Sequence, residues 1–292
     1  MDPKLCIGRI FGQSPSWKKQ EGKSERSIGI WRAVCVFIVL LSIFLSAPEL
    51  GWTEENFFQI INGNCAPGNK DFILDRGYSV YVKYDGRKFL MDTGLRKESL
   101  ANNLKAAGVS LDNLDFVFLS HRHPDHIGGI DYIRTKRPYL PIYNPPDEEF
   151  SDYEGLIELE NHLKVSPNVF LIYTYDEYGS RYVTDELSLL IITKKGPYLF
   201  TTNSHTDFFA KLKEAKRLAG QDVFFHSGHT AQRISRNETI MAHARKMKAL
   251  NVRKISPSHS NPSHNRIFKE VFGANYVTAR VGQKVPLEPV SK

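Results

Sequence analysis

The apolar residues in the first half of the chain follow two spacings, one typical of strands and one typical of helices. Apolar and polar residues alternate over residues 78–84, which is typical of a strand with one face against a core. Residues 85–86 (Asp-Gly) predict a hairpin turn, and residues 88–91 supply the returning strand. Residues 98–107 instead carry leucines four positions apart, which predicts a helix, and the short apolar run 116–119 predicts a buried strand.

The second half repeats this style of pattern. Strands are predicted at 189–193 and 198–201, which form a hairpin, and at 223–225 and 254–256. Helices are predicted at 208–219, where Asp207 caps the start and Gly220 closes the end, at 238–250 and at 265–272. Two similar halves, each a hairpin followed by strand–helix units, predict an α/β fold. In such a fold two sheets pack face to face and the helices cover their outer faces.

The chain before residue 48 has a different character from the rest. Residues 1–27 are polar and basic and predict a disordered tail. Residues 28–47 contain an uncharged apolar run and predict a signal peptide or a membrane anchor. Residues 48–292 would then form one domain outside the cytoplasm, with the basic flank inside. A buried core helix in a cytoplasmic protein is the alternative interpretation.

The distribution of charge argues against nucleic acid as a partner. The formal net charge is +7, and residues 1–32 hold seven basic and only three acidic residues. Much of the excess therefore precedes the apolar run, where a topology signal would place it. The remainder shows no dense Lys/Arg stripe, so we expect a small-molecule substrate and membrane contact through the N-terminal segment.

The sharpest chemical feature is the segment Ser120–Gly129, with sequence SHRHPDHIGG. Neutral imidazoles and a carboxylate are ligands that suit zinc, iron or manganese. His121 and His123 lie two apart after a predicted strand, so both can reach one ion. Asp125 and His126 project differently and can reach a second ion nearby. A chain of this length can bury a sizeable core without a metal, which favours a catalytic role.

This segment carries a family resemblance. The pattern H-x-H-x-D-H at residues 121–126 resembles the signature of the metallo-β-lactamase superfamily, and residues 90–94 (LMDTG) resemble the family's strand that ends in Asp-Thr-Gly. The resemblance covers residues 78–287 and implies a four-layered αββα sandwich. The order of residues 76–79, the Asp-Thr-Gly strand, residues 102–104 and the histidine loop resembles a dihydropterin-synthase-like branch.

The resemblance implies a set of site residues. Two divalent metal ions are expected, zinc first, with iron or manganese as alternatives. One ion would be held by His121, His123 and His205, and the other by Asp125, His126 and His259. Asp92 would support the metal loop from behind, and Asp125 would also accept a proton. Contacts to the substrate are expected from Asn203 and Ser204. His229 follows a predicted strand, and because strand ends in α/β proteins often line sites it is expected either at the substrate or as a plain loop histidine.

Three functions stay open at this point. The resemblance implies hydrolysis of a small ester, amide or phosphoester through metal-bound hydroxide. The branch also contains a transferase that joins a pterin to a ribosylaminobenzene phosphate. Asn203 stands where hydrolase members often have a metal-bridging aspartate, which leaves a non-catalytic metal or ligand sensor as a third alternative.

The other histidines and aromatic residues receive simpler interpretations. His162, His243 and His264 are expected on the surface. The aromatic residues of 139–143 and 170–175 are expected mainly in the core, because large aromatic side chains are usually well buried.

Overall fold

The computed structural model describes residues 55–147, 150, 153–180, 183–229 and 236–290. The predicted tail at residues 1–27 and the predicted apolar segment at residues 28–47 lie outside the described residues. Within the described ranges, no helix combines the length and the apolar character needed to cross a bilayer.

Fifteen strands in the described part of the chain build three sheets. In chain order they are β1 (Phe57–Asn62), β2 (Ala66–Pro67), β3 (Ser79–Tyr84), β4 (Arg87–Met91), β5 (Phe116–Phe118), β6 (Ile142–Asn144), β7 (Leu156–Glu158), β8 (Leu163–Ser166), β9 (Val169–Ser180), β10 (Val183–Thr193), β11 (Gly196–Thr201), β12 (Phe225–Gly228), β13 (Lys254–Ser256), β14 (Arg280–Val281) and β15 (Lys284–Pro286). One large sheet has the order β15-β1-β3-β4-β5-β6-β7, and the other has the order β13-β12-β11-β10-β9-β8. The short strands β14 and β2 pair separately.

Six α-helices accompany the strands in the described ranges. They are α1 (Lys97–Ala106), α2 (Pro124–Ile127), α3 (Ile130–Lys136), α4 (Phe208–Ala219), α5 (Asn237–Ala249) and α6 (Pro262–Phe272). Helix α4 begins as the sequence predicts, because the Asp207 side chain accepts a hydrogen bond from the Phe209 N–H. It ends where Gly220 adopts the left-handed conformation.

Three apolar clusters separate four layers. The first cluster lies between the large sheets and includes Phe58 and Phe89 from one sheet and Phe200 from the other. The second packs the outer face of the β8–β13 sheet against α4, α5 and α6. The third packs the outer face of the other large sheet against α1 and α3. The predicted four-layered αββα sandwich is therefore confirmed.

Two element boundaries differ from the prediction for identifiable reasons. Helix α6 begins at Pro262 rather than at residue 265, because the Asn261 side chain accepts the Ser263 N–H and proline suits a first helical position. Strand β12 begins at Phe225 rather than at residue 223, because parallel pairing with β11 aligns Tyr198 with Phe225.

The topology gathers several strand ends at one edge. β4 and β5 are parallel, and β11, β12 and β13 are also parallel, so the carboxyl ends within each group lie together. The two groups meet where the Thr202 hydroxyl donates to the Ser120 hydroxyl over 2.7 Å. The segments that follow these strands carry the predicted metal ligands.

Candidate metal centre

Asp92 anchors the histidine loop from the end of β4. It has a φ of 55° and a fully buried side chain. One carboxylate oxygen accepts the Ser120 N–H over 2.6 Å, and the other accepts the Ser120 hydroxyl and His126 Nδ1, each over 2.8 Å. Because Asp92 accepts from Nδ1, the lone pair of His126 lies on Nε2, the atom with which this ring would bind a metal.

The first predicted ligand group comes together in space. One donor atom from each of His121, His123 and His205 lies within 4.8 Å of the others. His121 Nε2 and His123 Nδ1 are 3.1 Å apart, and the His123 and His205 rings are 4.5 Å apart between centroids. His205 Nε2 is buried and has no hydrogen-bond partner among the described residues. A cation at this point would satisfy it.

The second predicted group lies beside the first. Donor atoms of Asp125, His126 and His259 also lie within 4.8 Å of one another. Asp125 Oδ2 is 3.4 Å from His259 Nε2 and 3.7 Å from His126 Nε2. The rings of His121 and His126 have centroids 4.2 Å apart, so the two groups are neighbours.

Asn203 lies between the two groups. Its Nδ2 atom is 3.3 Å from His121 Nε2 and 3.2 Å from His126 Nε2. Asn203 therefore lies where the family resemblance predicts a metal-bridging carboxylate. A neutral amide there leaves the pair of sites with one negative charge fewer.

Burial keeps the first group in the state that binds metals. It lowers the pKa of His121 well below the usual value, and nearby imidazoles act in the same direction. Burial also lowers the pKa of His205 to about 4. Both rings are therefore neutral near pH 7, as metal ligands must be.

The second group has a different electrostatic balance. Burial alone would raise the pKa of Asp125, but the hydrogen bond from His259 and the nearby His126 outweigh it and lower that pKa below its usual range. Burial alone would lower the pKa of His126, but the Asp92 carboxylate outweighs it and raises that pKa. Asp125 is thus an ionised oxygen donor beside two imidazoles.

These donor sets fit divalent metal ions. Three imidazoles form one set, and two imidazoles with a carboxylate form the other. Nitrogen and carboxylate oxygen are ligands that zinc, iron and manganese accept. Three protein ligands in each set leave a coordination position open for a substrate or a water, as catalytic sites require.

A family model decides the classification. Residues 73–259 match the model described as the metallo-beta-lactamase superfamily. The chain belongs to this superfamily. The predicted family is confirmed, and the match includes both groups of candidate metal ligands.

Known proteins resemble the chain over most of its length. A 7,8-dihydropterin-6-methyl-4-(beta-D-ribofuranosyl)-aminobenzene-5'-phosphate synthase of Methanocaldococcus jannaschii is 22% identical over 267 residues, covering 74% of this chain and 91% of that protein. The structure of Tm1679, a metal-dependent hydrolase of the β-lactamase superfamily, has a TM-score of 0.67 and 18% identity. It covers 80% of this chain and 99% of its own. YhfI from Bacillus subtilis, a metallo-β-lactamase fold protein, has a TM-score of 0.57 at 16% identity over 80% of this chain and all of its own.

A buried ion pair behind the site was missed by the sequence analysis. Glu186 on β10 and Lys211 on α4 are each 1% exposed, and Lys211 Nζ donates to Glu186 Oε2 over 2.5 Å. The same Glu186 oxygen accepts the Thr206 N–H over 2.7 Å, and Lys211 also donates to the Asn203 carbonyl over 3.3 Å. The pair therefore holds both ends of the loop that carries Asn203 and His205.

A group of three buried hydroxyls supports the His259 loop. Tyr78 Oη lies 3.2 Å from Ser227 Oγ and 3.0 Å from Ser258 Oγ, and the two serine oxygens are 3.0 Å apart. These bonds connect the start of β3 with the ends of β12 and β13. The Tyr78 ring also packs near His259, with centroids 5.8 Å apart.

The residues expected at the substrate take different places. Asn203 and His229 line a cavity beside the second group. The Ser204 hydroxyl instead donates to the His229 carbonyl over 3.1 Å, which holds the two loops together.

Several surface and core predictions were wrong. His243 and His264, expected on the surface, are 9% and 8% exposed. His243 packs against the rings of Phe208 and Phe209, and His264 lines the cavity. Tyr139, expected in the core, is 96% exposed because it lies in the loop between α3 and β6.

Replacing Asp92 by asparagine is expected to weaken metal binding at the second group by about 10- to 100-fold. The amide keeps the shape but offers one acceptor oxygen where Asp92 now receives three hydrogen bonds on two oxygens. Metal affinity measured by competition with a chelator would test this. Asp115→Asn is the control, since Asp115 accepts the Lys88 N–H in a loop away from the histidines. Equal metal affinity in wild type and Asp92→Asn would contradict the expected role.

Proposed function

We propose that the protein is a metal-dependent hydrolase with two divalent cations, zinc foremost, that acts on a small ester, amide or phosphoester. The observation that supports this is the pair of adjacent three-ligand groups, the second of which lines a cavity. Asp125, Asn203 and His259 line that cavity, whose volume is about 410 Å³. A volume of this order suits a small molecule rather than a polymer.

Metal ions bound by the two groups would supply a water of lowered pKa, near 7, and would polarise the bond to be cleaved. The chain's own side chains contribute the remaining chemistry. The ionised Asp125 can accept a proton at its carboxylate, and the Asn203 amide can donate a hydrogen bond to an oxygen that gains negative charge. Asp92 keeps His126 oriented throughout.

Removal of metal is expected to abolish hydrolysis. Protein treated with a chelator and dialysed should lose activity against 4-nitrophenyl esters and bis(4-nitrophenyl) phosphate, and added zinc, manganese or iron should restore it. Elemental analysis should give two equivalents of metal in the active sample. Hydrolysis that continues unchanged after metal removal would refute the proposal.

The transferase function is a second candidate, supported by the similarity over 74% of the chain to the M. jannaschii synthase. Its substrates are made in the cytosol, whereas residues 28–47 predict export or anchoring. Incubation with a dihydropterin and a ribosylaminobenzene phosphate, followed by chromatography, would separate the two functions. A sensor would differ from both by holding one metal ion or none and by lacking turnover.

A further inference from the structure

The cavity beside the metal ligands has lining residues that the hydrolase chemistry does not use. They include Arg76, His229, His264 and the residues at which α6 begins. Asp125 is the one carboxylate among the described residues that line this cavity, and it belongs to a ligand group. The part of the lining away from the ligand groups is therefore polar and has no carboxylate among its described residues.

Arg76 is the side chain that gives this lining a positive charge. It makes no hydrogen bond or ion pair with the described residues, whereas its neighbour Arg96 is paired with Asp75 at 3.1 Å. Arginine offers a planar set of donors that matches a carboxylate or a phosphate. With no partner among the described residues, this guanidinium on a substrate-sized cavity is available to a ligand.

The backbone next to Arg76 is tied to the metal loop. Gly77 has a φ of 110°, and a Cβ placed there would clash with the Asp125 carbonyl oxygen. The next residue, Tyr78, donates its N–H to that same carbonyl over 3.1 Å. The backbone that follows Arg76 is thus held against the second ligand group by the contacts of Gly77 and Tyr78.

Two buried histidines add ring nitrogens without partners. His229 and His264 are 7% and 8% exposed, and their rings stack with centroids 6.1 Å apart and planes at 26°. The Nδ1 atom of each is buried and has no partner among the described residues. Buried polar atoms without partners are rare in proteins and point to a missing ligand or water.

We propose that the substrate carries an anionic group, a carboxylate or a phosphate, separate from the bond that is cleaved, and that Arg76 binds it. His229 and His264 supply further contacts to this group or to the atoms beside it. The inference rests on the proposed hydrolase function for its kinetic test, but anion binding by Arg76 is measured independently of turnover.

The kinetic test uses 4-nitrophenyl esters whose acyl chains end in a carboxylate, a phosphate or a methyl group. The metal-loaded wild type is expected to hydrolyse one of the anionic esters with a kcat/KM about tenfold above that of the neutral ester. Arg76→Met should lose this preference through an increase in KM, with kcat and the neutral ester little changed. Arg76→Lys should retain part of it, because lysine keeps the charge without the planar fork.

The control is Arg87→Met, which removes the same charge from an exposed residue at the other end of β4 from Asp92. It should keep the substrate preference of the wild type. Calorimetry with glutarate and inorganic phosphate on metal-loaded protein gives the second readout. One of these anions should bind about tenfold more weakly to Arg76→Met than to Arg87→Met.

The outcomes separate the two proposals. If Arg76→Met keeps the wild-type substrate preference and binds anions as tightly as Arg87→Met, the inference is overturned and the proposed hydrolase function still stands. Arg76-dependent anion binding without hydrolysis of any ester would support the inference and count against the hydrolase. The anion with the larger dependence on Arg76 identifies the group as carboxylate or phosphate.

Discussion

The variant His205→Ala is expected to lose one equivalent of bound metal and more than about a hundredfold of kcat/KM. Mutation of groups that merely orient a ligand typically costs 10- to 100-fold, and removal of a ligand should cost more. Loss of His205 leaves His121 and His123 as the protein ligands of the first group. Elemental analysis and steady-state kinetics on the same preparation would measure both effects.

A fold check and a matched histidine make this test specific. His205 is 4% exposed, so circular dichroism and a thermal melt must show that the variant is folded. His162→Ala removes a histidine that pairs with Glu214 over 2.7 Å away from both ligand groups, and it should keep full metal content. Full metal content and activity in folded His205→Ala would show that the first group does not hold a catalytic metal.

Replacing Lys211 by methionine is expected to destabilise the fold by about 3–5 kcal/mol. The substitution leaves the Glu186 carboxylate buried without its cation, and an uncompensated buried charge is strongly unfavourable. Burial alone would raise the pKa of Glu186. The nearby Lys211 ammonium acts against burial, and the pKa of Glu186 is lowered in the folded protein. Urea unfolding of metal-free protein would measure the loss without a contribution from metal binding.

Two further variants show whether the pair itself is responsible. Glu186→Gln combined with Lys211→Met removes both charges and should recover part of the lost stability, which a double-mutant cycle quantifies. Lys213→Met changes an exposed lysine on the same helix and should shift stability by less than about 0.5 kcal/mol. A Lys211→Met variant as stable as Lys213→Met would show that the buried pair contributes nothing to the fold.

Local patterns were enough for the elements that surround the histidine loop. The alternation over residues 78–84, the Asp85-Gly86 turn and the helix near residue 100 depend on neighbours within a few positions. The structure has these elements as β3, β4 and α1. The segment His121–His126 is also local, so four candidate metal ligands could be predicted from their spacing. The resemblance then supplied the family and the four-layered fold, both of which are confirmed.

Residues whose partners lie far along the chain were harder to interpret. Glu186 and Lys211 fall on different elements, so nothing in either local sequence indicates that they pair. His264 was expected on the surface, and the last helix was predicted to begin only at residue 265. The position of α6 next to the β13 loop places this histidine in the cavity instead.

The sequence by itself determined the secondary structure around the H-x-H-x-D-H segment and the chemical type of its side chains, because both depend on residues close together in the chain. Only the tertiary structure decided that donor atoms of His205 and His259 lie within 4.8 Å of their partners from that segment. It also decided that Asn203 lies between the two groups and that Arg76 reaches the cavity. The physical reason is that these positions depend on how parallel strands align their carboxyl ends and how two sheets pack, which are interactions between distant parts of the chain.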